Sequence, residues 1–164
     1  MGTALSAFTL FHVLLSLVGI FSGFIVVYGL INSRRLNGWT SIFLWSTVLT
    51  SLTGYFFPFQ KLLPSHILGA LSLITLAVAI YARYTRGLAG GWRRTYVVAA
   101  VLALYCNVFV LIVQLFAKVP ALHELAPTQS ETPFKAAQLV ALLAFLGLGY
   151  LSARNFQAEQ YSAA

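Results

Sequence analysis

Five apolar runs, each close to the length of a membrane crossing, restrict what this chain can fold into. They cover residues 4–31, 40–57, 65–84, 95–118 and 134–151. A helix rises about 1.5 Å per residue, so ~20 apolar residues cross ~30 Å of hydrocarbon. A soluble fold would need charge to cover its surface, commonly about a quarter of its residues. Here only 8% are charged, and the acids are three Glu with no Asp. The mean hydropathy of +0.87 points the same way. The expected fold is an all-α integral membrane protein: one transmembrane domain over residues 1–164, built as a five-helix up-down bundle.

The breaks between runs carry turn and cap chemistry. Asn37-Gly38 and Gly90-Gly91 mark turns, Pro58 is expected to end the second helix, and Pro64 and Thr132-Pro133 suit helix starts. The competing reading is a four-helix bundle followed by an amphipathic tail. The first run lacks a basic n-region and is too long for a signal-peptide core, so it reads as a retained helix.

Charge sets the orientation. With five crossings, one face holds loops 32–39 and 85–94 and the C-terminal tail. It carries Arg34, Arg35, Arg83, Arg86, Arg93, Arg94 and Arg154, which are all the arginines. The other face carries Lys61, Lys118 and Lys135 with Glu124 and Glu131. Basic residues accumulate on cytoplasmic loops, so the N-terminus is expected outside and the C-terminus inside, in a bacterial inner membrane. Trp39 and Trp92 then fall at the inner interface. This asymmetry accounts for the net charge of +7 without a nucleic-acid partner. Cys106 is the only cysteine, which excludes an intrachain disulfide, a CxxC motif and a thiolate zinc cluster; it reads as a small buried hydrophobe. Met1 is the only methionine, against a thioether-rich copper handler.

One polar residue per helix falls near a common depth toward the outer side. Counting from the cytoplasmic helix ends, His12 stands about 28 Å up, Tyr55 and Gln138 about 24 Å, His66 about 26 Å and Gln114 about 30 Å. In the first helix His12, Ser16, Gly19 and Gly23 share a face, opposite Leu14, Leu17, Phe21 and Ile25, which are expected to face lipid. Ser46, Thr50 and Thr53 form a second small polar stripe, and Ala100, Ala103, Asn107, Gln114 and Lys118 a third. Such stripes, with the GxxxG at Gly19 and Gly23, ordinarily serve helix packing, and Asn107 and Gln114 read first as interhelical glue. An ionisable side chain in the bilayer is costly, which makes His12 and His66 the leading site candidates.

Three chemistries suit that level. Imidazoles of His12 and His66 could ligate b-type haem, with Gly19 and Gly69 leaving room for the macrocycle and Lys61, Lys118 or Lys135 meeting its propionates. His12, His66, His123 and Glu124 could instead supply ligands to a divalent metal, zinc or copper. Or His12, Tyr55, His66, Gln114 and Gln138 could hydrogen-bond a quinone-like or other small molecule, in a membrane subunit serving a periplasmic or membrane redox partner. The alternatives are a non-catalytic accessory or scaffold protein and a small-solute transporter; the absence of intramembrane acids counts against carboxylate-coupled transport. A Ser-His-Asp triad is excluded by composition, so independent catalysis is not the expectation. In the outer loop 119–132, Pro120 and Pro127 flank ALHELA, which could form one helical turn and act as a lid, a docking surface or a rigid connector.

With LTSLTGYFFPF, LLPSHILG and ALYCNVFVLIVQLFAKVPALHELAPTQSETPF in view, the chain resembles a group of small proteobacterial multi-pass inner-membrane proteins. The resemblance spans most of the chain. It implies a bacterial inner-membrane setting and carries no activity or ligand residue with it.

Overall fold

All five runs form helices in the structure, a computed structural model that describes residues 2–57 and 64–157. In chain order these are α1 (Gly2–Ile31), α2 (Asn37–Gly54), α3 (Pro64–Ile80, continued by a π turn at Tyr81–Thr85), α4 (Trp92–Lys118), a short α5 (Pro120–Leu125) and α6 (Thr132–Asn155). No strand occurs among the described residues. Among the described residues four stretches are long and apolar enough to cross a membrane: Ser6–Ile31, His66–Thr85, Trp92–Lys118 and Thr132–Asn155. These are the marks of a multi-pass membrane protein. The fifth run therefore belongs to a span-length helix rather than an amphipathic tail.

Pro64 opens α3 and Pro133 sits in the first turn of α6, where a missing N–H costs no helical bond. The second helix ends earlier than expected: Gly54 closes α2, and Tyr55 and Phe56 turn back with their N–H groups on the carbonyls of Leu52 and Thr53. Pro58 and Lys61 lie outside the described residues.

α2 is less apolar than the other long helices because hydroxyl side chains interrupt it, and their placement is informative. Thr40, Ser46, Thr47, Thr50 and Ser51 are buried, whereas Ile42, Trp45, Leu49 and Leu52 are exposed, Trp45 to 60%. A helix that hides its hydroxyls and shows its large apolar groups suits a hydrocarbon solvent, where polar groups must be satisfied inside the protein.

α4 is the central helix, packed on α1, α2, α3 and α6, while α1 also touches α2 and α6 and α2 lies between α1 and α3. Tyr96, Ala103 and Leu104 of α4 are fully buried. Close approach depends on the small face of α1. A Cβ on Gly19 would sit 3.0 Å from Thr47 Oγ1 and 3.2 Å from Ser46 Oγ; one on Gly23 would sit 2.6 Å from Leu104 Cδ1 and 3.0 Å from the Phe43 ring. The GxxxG contact is formed, and Leu14, Leu17 and Phe21 on the other side are exposed as expected, whereas Ile25 is half-buried.

Polar bonds gather the arginines at one end. Arg83, in the π turn, donates from Nη2 to the Arg35 carbonyl at 3.4 Å and to Asn37 Oδ1, and its guanidinium lies 5.4 Å from the centre of the Tyr96 ring. Arg93 Nη1 donates to the Phe156 carbonyl at 2.7 Å. Ser33 Oγ donates to the Gln157 carbonyl and accepts from the Gln157 N–H, both at 2.9 Å. Loop 32–36, the π turn, the start of α4 and the residues after α6 thus share one end, and the five long helices alternate in direction.

The Gly23 contact yields a stability test. Gly23→Val should overpack the α1–α4 contact and destabilise the bundle by about 1–3 kcal/mol. Gly38→Ala, with nothing within 4 Å of its Cβ, should be neutral. Thermal unfolding in mild detergent reads both; equal midpoints for the two variants would contradict the packing.

Candidate functional site

A cleft of about 100 Å³ opens among α1–α4, toward the end opposite the arginines. α1 contributes His12 and Ser16; α2 contributes Thr50, Ser51 and Gly54; the turn after it contributes Tyr55. α3 adds His66, Gly69 and Ser72, and α4 adds Cys106 and Asn107. The inward small face of α1 carries His12 here, and the hydroxyl face of α2 meets it.

The hydrogen bonds around the cleft are specific. His12 Nδ1 lies 2.8 Å from Thr53 Oγ1, and the Phe57 ring packs edge-on against the imidazole at 5.1 Å. Thr53 Oγ1 also donates to the Leu49 carbonyl at 2.7 Å. Tyr55 Oη donates to the His66 carbonyl at 2.7 Å, closing the α2–α3 corner, and the two rings stand 5.8 Å apart. Ser51 Oγ donates to Ser72 Oγ at 3.2 Å, and Asn107 Nδ2 to Thr47 Oγ1 at 3.3 Å. Thr50 differs from all of these. It is only 7% exposed, and its buried Oγ1 has no hydrogen-bond partner among the described residues. Arg35 Nε, Tyr96 Oη, Gln138 Oε1 and Ser152 Oγ are also buried without one, but of the five only Thr50 lines the cleft, where a ligand could supply the partner.

Of the five residues placed at one depth, three come together here: His12, Tyr55 and His66. Gln114 is exposed on α4. Gln138 faces the α4–α6 contact, donating from Nε2 to the Phe109 carbonyl at 3.2 Å. Depth matched, but the faces of α4 and α6 turn those two side chains elsewhere. Cys106 is buried and Asn107 bonds across to α2, as the sequence suggested, and both also line the cleft, which the sequence did not show. Thr50 was visible only as one of a stripe; its missing partner is a three-dimensional fact.

The space expected for a haem plane is taken. A Cβ on Gly69 would meet Tyr55 Oη at 3.3 Å and its ring at 3.4 Å, and Gly19 is closed off by Ser46, Thr47 and Asn107. Both glycines serve packing. His123 and Glu124 are exposed on α5, and among the described residues no group of three or more His, Cys, Asp or Glu stands close enough to hold a metal ion. No residue of the outer loop lines the cleft, although ALHELA does form the helical turn expected of it. That loop is ordered by Glu131, whose carboxylate accepts from Thr128 Oγ1 at 2.8 Å and from the Thr128 and Ser130 N–H groups at 3.2 and 3.0 Å. The Thr128 hydroxyl leads in holding the Glu131 carboxyl below its ordinary pKa.

No protein-family model, curated protein or solved structure matches the chain.

Because the folded pKa of Glu131 is the lowered one, its loop bonds stand above the ordinary carboxylate pKa and are lost as pH falls through the folded value. Amide exchange at Thr128 and Ser130, corrected for intrinsic rates, should accelerate on that descent. Thr128→Val should move the midpoint upward; an unmoved midpoint would show that the hydroxyl is not the cause.

Proposed function

We propose that this chain is a five-span protein of a bacterial inner membrane, N-terminus outside and C-terminus cytoplasmic, whose cleft near the outer face binds a small polar ligand. The orphan hydroxyl of Thr50 carries the binding reading: it is buried in the cleft wall and has no partner of its own. Size narrows the ligand. Pockets for drug-sized molecules run from about 300 Å³ upward, and this cleft is about 100 Å³. With the glycine spaces filled as well, a small molecule fits better than haem. Among the described residues the lining offers hydroxyl, amide, imidazole and thiol groups, which suit binding of a small polar molecule.

The fifth span is supported by α2 itself. It runs between α1 and α3, against α4, and turns a stripe of Ile42, Trp45, Leu49 and Leu52 outward. At 18 residues it is about 27 Å long at the usual rise, close to the hydrocarbon thickness. The arginines at one end and Lys118 and Lys135 toward the other support the orientation under the positive-inside rule.

A non-catalytic scaffold is the second reading, and one set of observations favours it. Gln138, Asn107 and Ser51 each spend a hydrogen bond on a neighbouring helix.

Thr50→Val separates the two. Deleting an unpartnered buried hydroxyl removes a desolvation penalty, so the variant should be as stable as the parent or more stable by about 1–3 kcal/mol. Cys106, the only thiol, reports access. Methyl methanethiosulfonate should modify it in the folded protein far faster than a bulky polymer-linked maleimide does. Equal rates for both reagents, set by unfolding, together with a destabilised Thr50→Val, would leave the scaffold reading in place.

A further inference from the structure

We infer that the cleft selects a small, neutral ligand that presents a hydrogen-bond donor, an O–H or N–H group, to Nε2 of His12. The inference rests on the cleft being a binding site and follows from counting protons.

Thr53 has one hydroxyl proton. Its Oγ1 lies 2.7 Å from the Leu49 carbonyl oxygen, which can only accept. Turning that proton toward His12 instead would leave two bare oxygens at 2.7 Å, a repulsive contact. The proton therefore goes to Leu49, and Thr53 Oγ1 is an acceptor toward the histidine. His12 Nδ1, 2.8 Å away, must be the donor. In a neutral imidazole one nitrogen donates and the other accepts, so what His12 has left to offer the cleft is the lone pair on Nε2. The α2 backbone fixes this tautomer through Thr53, a residue that does not line the cleft.

The other wall groups are less restrictive. The Thr50 hydroxyl, without a partner, can donate or accept. Asn107 has given one Nδ2 proton to Thr47 Oγ1 and keeps the second N–H and its carbonyl oxygen, so it can donate or accept. Ser51 gives its proton to Ser72, whose own proton remains to be placed. His12 Nε2 is thus fixed as an acceptor, and Tyr55 Oη and Ser51 Oγ, whose protons go to the His66 carbonyl and to Ser72, are left as acceptors beside it. Among the described residues the lining holds no Lys, Arg, Asp or Glu, so a charged ligand would find no counter-ion among them in a low-dielectric setting. A small alcohol, diol or primary amide satisfies both conditions. A ligand that only accepts, such as a ketone or sulfoxide, leaves Nε2 unpaired. Burying an unpaired acceptor typically costs enough to weaken binding about tenfold or more.

Nitrogen-15 NMR on histidine-labelled protein in lipid nanodiscs tests this, with His66→Gln and His123→Gln assigning the His12 signals. The expected result is an Nδ1–H tautomer for His12. Ethylene glycol and acetamide should then shift the Nε2 resonance and bind at least tenfold more tightly than acetone or dimethyl sulfoxide. Thr53→Val, which keeps the side-chain shape and frees Nδ1, should abolish the preference. An Nε2–H tautomer, or equal affinity for donors and pure acceptors, would overturn the inference while leaving the binding site standing. If no solute in either group perturbs the His12 or His66 signals, the binding site itself fails.

Discussion

The bundle depends on the meeting of α1, α2 and α4 at Gly19. Its missing side chain lets Thr47, Ser46 and Asn107 come within about the reach of a single Cβ of the α1 backbone, and Asn107 and Thr47 then bond to each other across the junction. In hydrocarbon no hydrophobic drive pulls helices together, so close packing and internal hydrogen bonds must do it. Gly23 repeats the contact on the arginine side with Leu104 and Phe43. Toward the other end no glycine closes α1 onto its neighbours, and the space left there is the cleft. Tight packing on one side of Ser16 and an opening on the other thus have the same origin, in where α1 changes from glycine to larger side chains.

The same solvent explains why α2 looks weak as a span and yet sits among the other helices. Its hydroxyls lower its apolarity, but they bond to their own helix or to α3 and α4: Ser46 to the Phe43 carbonyl, Ser51 to Ser72, Thr47 to Asn107. Thr50 breaks that pattern. Its Oγ1 has no partner among the described residues, and it is on this hydroxyl that the proposed binding role of the cleft rests.

Much of this was legible in the residues. Apolar run length gave the helices, proline gave the starts of α3 and α6, and the spacing of His12, Ser16, Gly19 and Gly23 gave the inward face of α1. Depth counting brought His12, Tyr55 and His66 to one level, and they do line one cleft. It failed for Gln114 and Gln138 because height along a helix says nothing about which neighbour a face meets; that is set by packing angles the one-dimensional pattern does not hold. Gly69 was read as room for a ligand, but the chain turns after Gly54 rather than at residue 57 and swings the Tyr55 ring into that room. The π turn that aims Arg83 at the α1–α2 loop has no local signal at all.

The proposed topology takes all five long helices across the membrane with the arginine end inside. The most direct measurement is the sidedness of single cysteines at positions 33, 90 and 130, in a Cys106→Ser background, using a membrane-impermeant maleimide on intact cells. With that topology Ser33→Cys and Gly90→Cys are both protected until the membrane is opened, while Ser130→Cys is labelled at once. If Ser33→Cys and Gly90→Cys fall on opposite sides, α2 does not cross, and both the five-span topology and the outer placement of the cleft are contradicted.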